Sequence, residues 1–509
     1  MNTNQLKLGS LLSYGQMALG VLIGLVYTPV MIRLLGDSEY GLYNTVASTI
    51  SMLTILSLGF NSSYIRYYSQ YKKQRNQKRI DSLNGLFMLI FIIIGLVAFC
   101  CGMFLSMNLE LVFSDGLTPG EYRIARVLMM LLSVNLGLSF PMSVFTSIIS
   151  AHERYVVLKL LAMMKTVVGP LVSLPLLLLG KGSIAMVSVT LGISVLTDLI
   201  YFFYVRRKLR CRFVFRDFEQ GLFRQLLVFT SFIALNLIVN EVNTNIPKFL
   251  LGRFCGTTPV AIYSAGYTLY QYYVTFSTSI SGVFTPRIHR LVQENWNAPQ
   301  KQRQVLTDLF VKVGRIQYAV LMMIASGFFM YGRPFIKFWA KESYGDAYYV
   351  TLLLMLPATI ALTQNLGIEI QRALNRHKFR SIAYIFMAAI NLCVAINLSR
   401  IYGAIGATIG TAVSLVIANG LVMNIYYHKR CQINILTFWK NILRMSLGIL
   451  PALAVGVLCN LYMDLYRIPM LILGIVAFAA AYGFGMWMLG LNDYEKDLLR
   501  KPLRKLMRK

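Results

Sequence analysis

The stretch Phe232–Lys248, FIALNLIVNEVNTNIPK, lies in an apolar run long enough to cross a bilayer, yet it is rich in polar side chains. On a helix these polar residues form two neighbouring stripes: Asn236, Asn240 and Asn243 on one, and Glu241, Asn245 and Lys248 on the other. A carboxylate and an ammonium are costly against lipid. We therefore expect this arc to face protein or a water-filled cavity.

The same stretch supports two interpretations. A polar, interrupted helix near the middle of the chain is typical of a transporter binding site, and Pro247 predicts a kink or a helix end nearby. Alternatively, the asparagines only hydrogen-bond to neighbouring helices. The second interpretation leaves Glu241 and Lys248 unexplained.

The composition places the whole chain in a membrane. Of 509 residues, 57% are hydrophobic and only 14% are charged, and apolar runs recur from end to end. This pattern predicts an all-α integral membrane protein with many spans. The net charge of +29 comes from short basic loops between the runs, so we expect no nucleic-acid partner. The seven cysteines include no CxxC pair, so we expect no metal site.

The apolar runs predict about fourteen transmembrane helices. They span residues 8–32, 41–65, 83–107, 124–150, 156–179, 183–205, 222–250, 259–285, 308–332, 349–371, 380–400, 403–427, 441–463 and 467–490. Strongly basic loops, such as 66–79 and 206–216, alternate with short or mixed ones. The basic side is expected to be cytoplasmic, and an even number of helices places both termini there.

Short segments of the first half recur in the second half. The matching pairs are Arg33–Gly36 with Arg253–Gly256, Ala151–Tyr155 with Asn375–Phe379, and Gly182–Ala185 with Gly403–Gly406. Their offsets of 220 to 224 residues are nearly constant, which indicates an internal duplication. Six helices per repeat is an even number, so the two six-helix lobes are expected to be parallel.

This duplication predicts four parts of the chain. An N-lobe of helices 1–6 covers residues 1–210, and a C-lobe of helices 7–12 covers 211–430. Two extra C-terminal helices, 13–14, cover 431–492. Residues 493–509 alternate leucine with lysine and arginine, which predicts a basic cytoplasmic amphipathic tail on anionic lipid.

The start of each half carries a recognisable pattern. The relevant segments are Pro29–Tyr43 (PVMIRLLGDSEYGLY), Leu58-Gly59, Ile65–Tyr68, Lys248–Gly252 and Ile262–Gly266. With the arrangement of six, six and two helices, they resemble the polysaccharide-export or oligosaccharide-flippase family. That family is part of the multidrug/oligosaccharidyl-lipid/polysaccharide exporter group. Family members often carry an aspartate before the basic residue of helix 7, where this chain has Pro247, so Glu241 is the candidate replacement.

The resemblance implies a flippase of the bacterial cytoplasmic (inner) membrane. Its substrate would be a polyprenyl-diphosphate-linked oligosaccharide, the repeat unit of an O-antigen, capsule or exopolysaccharide. Two lobes would alternate access between the leaflets, without a cofactor and with possible H⁺ or Na⁺ coupling. Membrane lipids, a polysaccharide polymerase and glycosyltransferases are the implied partners.

The diphosphate of such a substrate needs cations in a cavity of low dielectric constant. The candidates are Lys165, Lys248, Arg66, Arg315 and Arg372. Arg66 and Arg372 lie at inner helix ends, where basic side chains also extend to the interface without any role in binding.

Sugars need amides and aromatic faces, for which the candidates are Asn236, Asn240, Asn243, Tyr267 and Tyr270. An interfacial aromatic belt would explain the outermost tyrosines equally well.

Three carboxylates are candidates for ion coupling: Glu241, Asp198 and Glu369. Asp198 is also a candidate partner of Lys165, either in transport or in a static pair. Glu369 and Arg372 are three residues apart, which allows a bridge with no role in transport.

Two other functions fit the same sequence less well. A cation-coupled multidrug exporter, similar to MATE proteins, would favour carboxylates in its cavity, whereas basic residues outnumber acidic ones within the predicted helices. A membrane glycosyltransferase or ligase would have large outer loops with catalytic acids, and the longest outer loop, Gly332–Tyr349, has no convincing catalytic set. Because no nucleotide-binding or hydrolase motif appears either, we do not expect an enzyme.

Overall fold

The computed structural model describes residues 3–113, 117–216, 218, 221–376 and 378–506. The side chains of residues 3–7, 9–11, 229, 232, 236, 499 and 501–506 lie outside this description. The described residues are helical nearly throughout and form no strand. The predicted all-α class is therefore confirmed.

We number the α-helices of the described chain in order. They are α1 Thr3–Met52, α2 Phe60–Lys73, α3 Gln77–Met107, α4 Pro119–Ala151, α5 Tyr155–Leu178, α6 Gly182–Phe203, α7 Leu222–Phe254, α8 Thr257–Gly282, α9 Thr285–Glu294, α10 Pro299–Trp339, α11 Asp346–Thr363, α12 Leu366–Ala373, α13 Lys378–Leu415, α14 Met423–Lys429, α15 Ile435–Ser446, α16 Leu450–Tyr462, α17 Ile468–Gly485 and α18 Asp493–Leu506. Short 3₁₀ and π turns connect several of them.

The protein is a multi-span membrane protein. In the described chain, ten helical stretches are long and apolar enough to cross a bilayer. An eleventh is added if Leu222–Val228 and Ile233–Phe254, which are bent by 41°, form one span. The count of fourteen stays a prediction.

Two of these stretches, Leu12–Lys73 and Lys378–Lys429, are much longer than one bilayer crossing. Each is interrupted at a glycine: Gly36 has φ 76° and Gly403 has φ 54°. Glycine adopts this left-handed backbone without the steric penalty of a Cβ atom. The interruptions lie where the sequence predicts connections between helices.

Left-handed backbone positions repeat along the chain at a nearly constant spacing. The pairs are Gly36 with Gly256, Glu153 with Asn375, Gly182 with Gly403, and Arg210 with Gln432, spaced by 220 to 222 residues. Because a non-glycine residue rarely adopts such a φ, matched positions are informative. The duplication therefore has a counterpart in the backbone, whereas the lobe boundaries stay a prediction.

The chain packs as two compact units. The first unit comprises residues 1–264 with 399–403, and the second comprises 265–398 with 404–509. The two units thus divide within α8.

In the first unit, aromatic side chains of α2 and α3 form much of the core. Tyr64 and Phe87 meet edge to face, with ring centroids 5.2 Å apart. Small residues bring α3 and α4 close together, since a Cβ added at Gly95 would collide with the backbone of Gly137.

Helix α7 packs against α1 in the first unit. A Cβ added at Gly252 would collide with Thr45, and one added at Gly41 would collide with the backbone of Thr257, the first residue of α8. The prediction of a kink or an end near Pro247 was wrong in position, because α7 passes through Pro247 to Phe254 and bends upstream, between Val228 and Ile233. Neighbouring groups in a membrane protein can satisfy the carbonyl that a proline leaves free.

In the second unit, α10 is the central element and contacts α11, α15, α16 and α17. Phe310 of α10 lies 4.9 Å from the Phe438 ring of α15, and Tyr331 lies 5.7 Å from the Phe478 ring of α17. Helix α10 extends to Trp339, beyond the predicted end at residue 332, so the loop between α10 and α11 is shorter than expected.

Candidate functional site

Lys165 lies near the middle of α5, in a stretch long and apolar enough to cross a bilayer. Its ammonium donates a 2.7 Å hydrogen bond to the hydroxyl of Ser194 on α6, and the rest of the side chain is exposed. Asp198 lies one turn further along α6 and is half-buried. The Lys165 charge acts on Asp198, but no ion pair joins the two among the described residues.

Helices α1 and α5 lie side by side in the first unit. The hydroxyls of Tyr27 and Ser173 are 2.5 Å apart and connect the two helices. An apolar groove of about 400 Å³ lies between them, with Val26 and Leu171 on its walls. The exposed fractions of these two side chains are 70% and 63%, so the groove opens at the surface of the protein.

The polar arc on α7 is partly engaged within its own helix. The Asn245 amide donates a 2.5 Å hydrogen bond to the Glu241 carboxylate, one turn earlier. Lys248 and Asn243 are half-buried and have further interactions, whereas Asn240 is exposed. The side chain of Asn236 lies outside the described residues.

The packing of α7 on α1 determines which part of α1 lies beside Lys248. Gly252 of α7 meets Thr45, and Thr257, the first residue of α8, meets Gly41. The chain therefore runs antiparallel to α1 at this contact. Lys248 is one turn before Gly252, which places it level with Thr49, one turn after Thr45.

Arg66 lies on α2, and its side chain is exposed. It has an interaction with another group, so it is not a free cation. The helix continues for seven residues beyond Arg66, to Lys73, so the prediction that Arg66 lies at a helix end was wrong.

Arg315 of α10 has a set of partners that the sequence did not predict. It is 4% exposed, and its guanidinium makes hydrogen bonds of 2.6 and 2.7 Å to the two oxygens of Glu495 on α18. It also donates to the carbonyls of Asn441, at 3.0 Å, and Gly490, at 2.8 Å. These contacts support a structural role, because they occupy the guanidinium within the second unit.

Glu369 and Arg372 form a bridge within α12. Their side chains are 2.6 Å apart, with 17% and 61% exposed. The alternative of a self-paired bridge therefore matches the contact that is present.

Tyr267 and Tyr270 lie on α8 in the second unit, and both are half-buried. Their ring centroids are 5.7 Å apart and the planes are tilted by 56°. The two rings form one aromatic surface, of the kind that sugars contact through C–H groups.

The structure thus brings together some of the predicted residues and separates others. Lys165 and Asp198 lie near each other through Ser194, which the sequence analysis missed. The missed signal was the spacing of Ser194 and Asp198, four residues apart on one face of α6. Arg315 and Arg372 are not brought together: Arg315 pairs with Glu495 and Arg372 with Glu369.

The second unit also contains an apolar cavity of about 650 Å³. Its walls come from α8, α10, α15, α17 and α18, and include Phe276, Ile316, Tyr482 and Trp487. Glu495, the partner of Arg315, lies at its edge. The cavity suits an apolar chain better than a polar group.

Comparisons with known proteins identify the fold. The family model "Polysaccharide biosynthesis protein" matches residues 9–292, more than half of the 509 residues. No curated protein matches the chain in sequence.

Among solved structures, the lipid II flippase MurJ in an inward closed conformation has a TM-score of 0.67 at 15% identity. The match covers 97% of this chain and 99% of that chain. A MATE family multidrug resistance transporter of the MOP superfamily matches in its inward-facing conformation, with a TM-score of 0.60 at 15% identity, over 82% of this chain and 93% of that chain. A MATE family multidrug resistance transporter in its outward-facing conformation matches with a TM-score of 0.57 at 14% identity. This match covers 83% of this chain and 95% of that chain. At these identities the likeness shows a shared fold.

Proposed function

The chain belongs to the polysaccharide biosynthesis protein family, and we propose that it is a flippase for a polyprenyl-diphosphate-linked oligosaccharide. Such a substrate is the repeat unit of an O-antigen, capsule or exopolysaccharide. The protein would move it across the bacterial cytoplasmic membrane by alternating access. The placement of the termini and of the basic loops on the cytoplasmic side follows from the distribution of lysine and arginine.

The observation that carries this proposal is Lys165. Its ammonium lies near the middle of an apolar span and has one hydroxyl partner, Ser194, while the rest of its side chain is exposed. A charged group at this depth is costly against lipid. Lys165 is therefore best placed facing a water-filled space inside the membrane, where a transported anion would pass.

A diphosphate is an appropriate ligand for such a lysine. Its negative charge interacts strongly with cations where the dielectric constant is low. Lys248, half-buried at the level of Thr49 on α1, supplies a second cation in the same unit. Arg66, in the middle of α2, and Arg372, near the end of α12, remain candidates. We do not include Arg315, because its donors are occupied by Glu495 and two carbonyls.

The other parts of the substrate also find suitable surfaces. The apolar groove between α1 and α5 and the larger cavity at α10 both suit segments of a polyprenyl chain. Sugars would contact Asn240, Asn243, Tyr267 and Tyr270. Coupling to H⁺ or Na⁺ would act through Asp198 or Glu241, since Glu369 already pairs with Arg372.

The test is transport by the purified full chain in vesicles that contain a fluorescent polyprenyl-diphosphate oligosaccharide. Lys165→Glu is expected to reduce transport at least about tenfold, because it replaces attraction for the diphosphate by repulsion. Lys165→Arg keeps the charge and should retain most transport. Lys159→Glu, an equal charge change nearer the start of α5, is the matched control.

Two results would overturn the proposal. One is equal transport by Lys165→Glu and Lys159→Glu while both variants unfold at the wild-type temperature. The other is efflux of a cationic dye, coupled to an ion gradient, by a protein that does not move the lipid-linked sugar. The second result would assign the protein to drug export.

A further inference from the structure

A cavity with charged walls lies in the first unit, where α2 ends and where α3 and α7 begin. It has a volume of about 490 Å³. Among the residues that the structure describes, three basic ones, Lys78, Arg79 and Arg216, contribute to its wall, against one carboxylate, Asp81. The described part of the wall therefore carries an excess of positive charge.

Two of the three cations are available for a ligand. Among the described residues, neither Lys78 nor Arg216 makes an ion pair. Asp81 accepts a 2.8 Å hydrogen bond from the Gln77 amide instead. Burial and the Asp81 carboxylate raise the pKa of the neighbouring Cys211 thiol to about 11, so Cys211 adds no negative charge.

The wall of the cavity is held in place by contacts between α3 and the segment 209–216. The Val214 amide donates a 3.0 Å hydrogen bond to the Asp81 carbonyl, and the Asn84 amide donates a 2.9 Å bond to the Arg212 carbonyl. Asn84 also accepts a 2.6 Å bond from the buried Tyr64. A Cβ added at Gly85 would collide with the Val214 backbone, so the segment lies directly on the helix. The cationic wall is thus formed before any ligand binds.

The position of the cavity indicates which kind of anion it takes. One apolar span ends at Lys73 and another begins at Gln77, so Lys78 and Arg79 lie in the first turn of a span. We expect this turn at the level of the lipid headgroups, since it begins a span and belongs to the strongly basic set of loops. Leu83 and Leu222 add apolar surface to the same wall. A ligand with a phosphate and an apolar part matches both surfaces.

We propose that this cavity binds the phosphate headgroup of an anionic membrane phospholipid. Lys78 and Arg216 hold the phosphate, with the Arg216 guanidinium able to donate two parallel hydrogen bonds. This site does not depend on the transport function, because none of its residues belongs to the proposed substrate path.

The experiment uses the full chain in vesicles of phosphatidylcholine with a photoreactive phosphatidylglycerol. The readout is the amount of lipid crosslinked to the peptide that contains Val214, as a function of lipid concentration. We expect the half-saturating concentration to rise about twenty-five-fold in Lys78→Gln/Arg216→Gln, since each basic residue at a lipid surface contributes roughly fivefold. The matched control is Lys301→Gln/Arg303→Gln, which removes two exposed charges of α10 outside the cavity, and it should leave the value unchanged within about twofold.

Competitors then separate the possible sources of phosphate. Inorganic phosphate at millimolar concentration should leave the crosslink in place, and a polyprenyl phosphate should compete no better than unlabelled phosphatidylglycerol. An unchanged half-saturating concentration in Lys78→Gln/Arg216→Gln would overturn the site. Displacement of the crosslinked lipid by inorganic phosphate would show that the site binds free anions. Stronger competition by polyprenyl phosphate than by phosphatidylglycerol would show that it binds the carrier lipid. Either result would overturn the assignment to a membrane phospholipid.

Discussion

Lys165 in the first unit and Arg315 in the second are both basic residues in long apolar helices, but their surroundings differ. The Lys165 ammonium has one hydroxyl partner, Ser194, and an otherwise exposed side chain. The Arg315 guanidinium is 4% exposed and bonded to both oxygens of Glu495 and to two backbone carbonyls. The first can still bind a ligand, whereas the second is satisfied by the protein.

The comparison shows that a cation inside a membrane span is not by itself evidence of a substrate site. A buried charge must be paired, and the pair can serve the fold alone. What separates the two roles is the number of donors that the protein leaves unused. By this criterion Lys165 is a candidate for binding, and Arg315 anchors α18 to α10.

The largest expected effect comes from removing the partner of Arg315. Glu495→Ala leaves a buried guanidinium without its counter-charge, which should reduce the free energy of unfolding by about 3–5 kcal/mol. Chemical unfolding in detergent, followed by circular dichroism, measures this change.

The double variant Arg315→Met/Glu495→Leu is the control, because it removes both charges and keeps apolar volume. We expect it to unfold close to the wild type and to transport with an unchanged KM. A folded double variant that has lost substrate affinity would instead place Arg315 in the substrate path, and the contrast with Lys165 would disappear.

A smaller effect is expected at the partner of Lys165. Ser194→Ala removes one 2.7 Å hydrogen bond, so the free energy of unfolding should fall by about 1 kcal/mol, and the KM for transport should rise a few fold because the lysine is held less firmly. The control is Ser188→Ala on the same helix, where the hydroxyl bonds only to the Ile184 carbonyl. If both variants behave alike in transport, Ser194 does not position Lys165.

The smallest effect is expected at the exposed pair on α12. Arg372→Gln breaks a bridge whose arginine is 61% exposed, and such pairs contribute only about 0.3–0.5 kcal/mol. We expect an unfolding temperature within error of the wild type and transport within about twofold. A large loss of transport without loss of stability would instead indicate that Arg372, like Lys165, binds the substrate.

Much of the fold could be predicted from local sequence. Apolar runs of bilayer length gave the all-α membrane class, and the glycine motifs at residues 33–36 and 403–406 marked the places where long helices turn. The position of the bend in α7 could not be predicted in the same way. Pro247 removes one donor, but whether a helix breaks there depends on neighbouring elements that one stretch of sequence does not contain.

In the candidate site, too, the local contacts could be predicted from the sequence and the distant ones could not. The Glu241–Asn245 and Glu369–Arg372 contacts join residues four and three positions apart, and helical spacing alone indicates them. The partners that decide between binding and structure are distant in sequence: Ser194 is 29 residues from Lys165, and Glu495 is 180 residues from Arg315. No periodicity connects such positions, so the roles of Lys165 and Arg315 become distinguishable only in the folded chain.

The attachment of α18 has a practical consequence for handling this protein. Basic C-terminal tails are commonly trimmed before crystallisation or reconstitution, and this one invites trimming because of its charge. A cut after Asn492 would remove Glu495 and leave Arg315 facing apolar side chains without a counter-ion. Aggregation of the shortened protein would therefore be explained by loss of the contact between Glu495 and Arg315. An affinity tag is better appended to the intact tail.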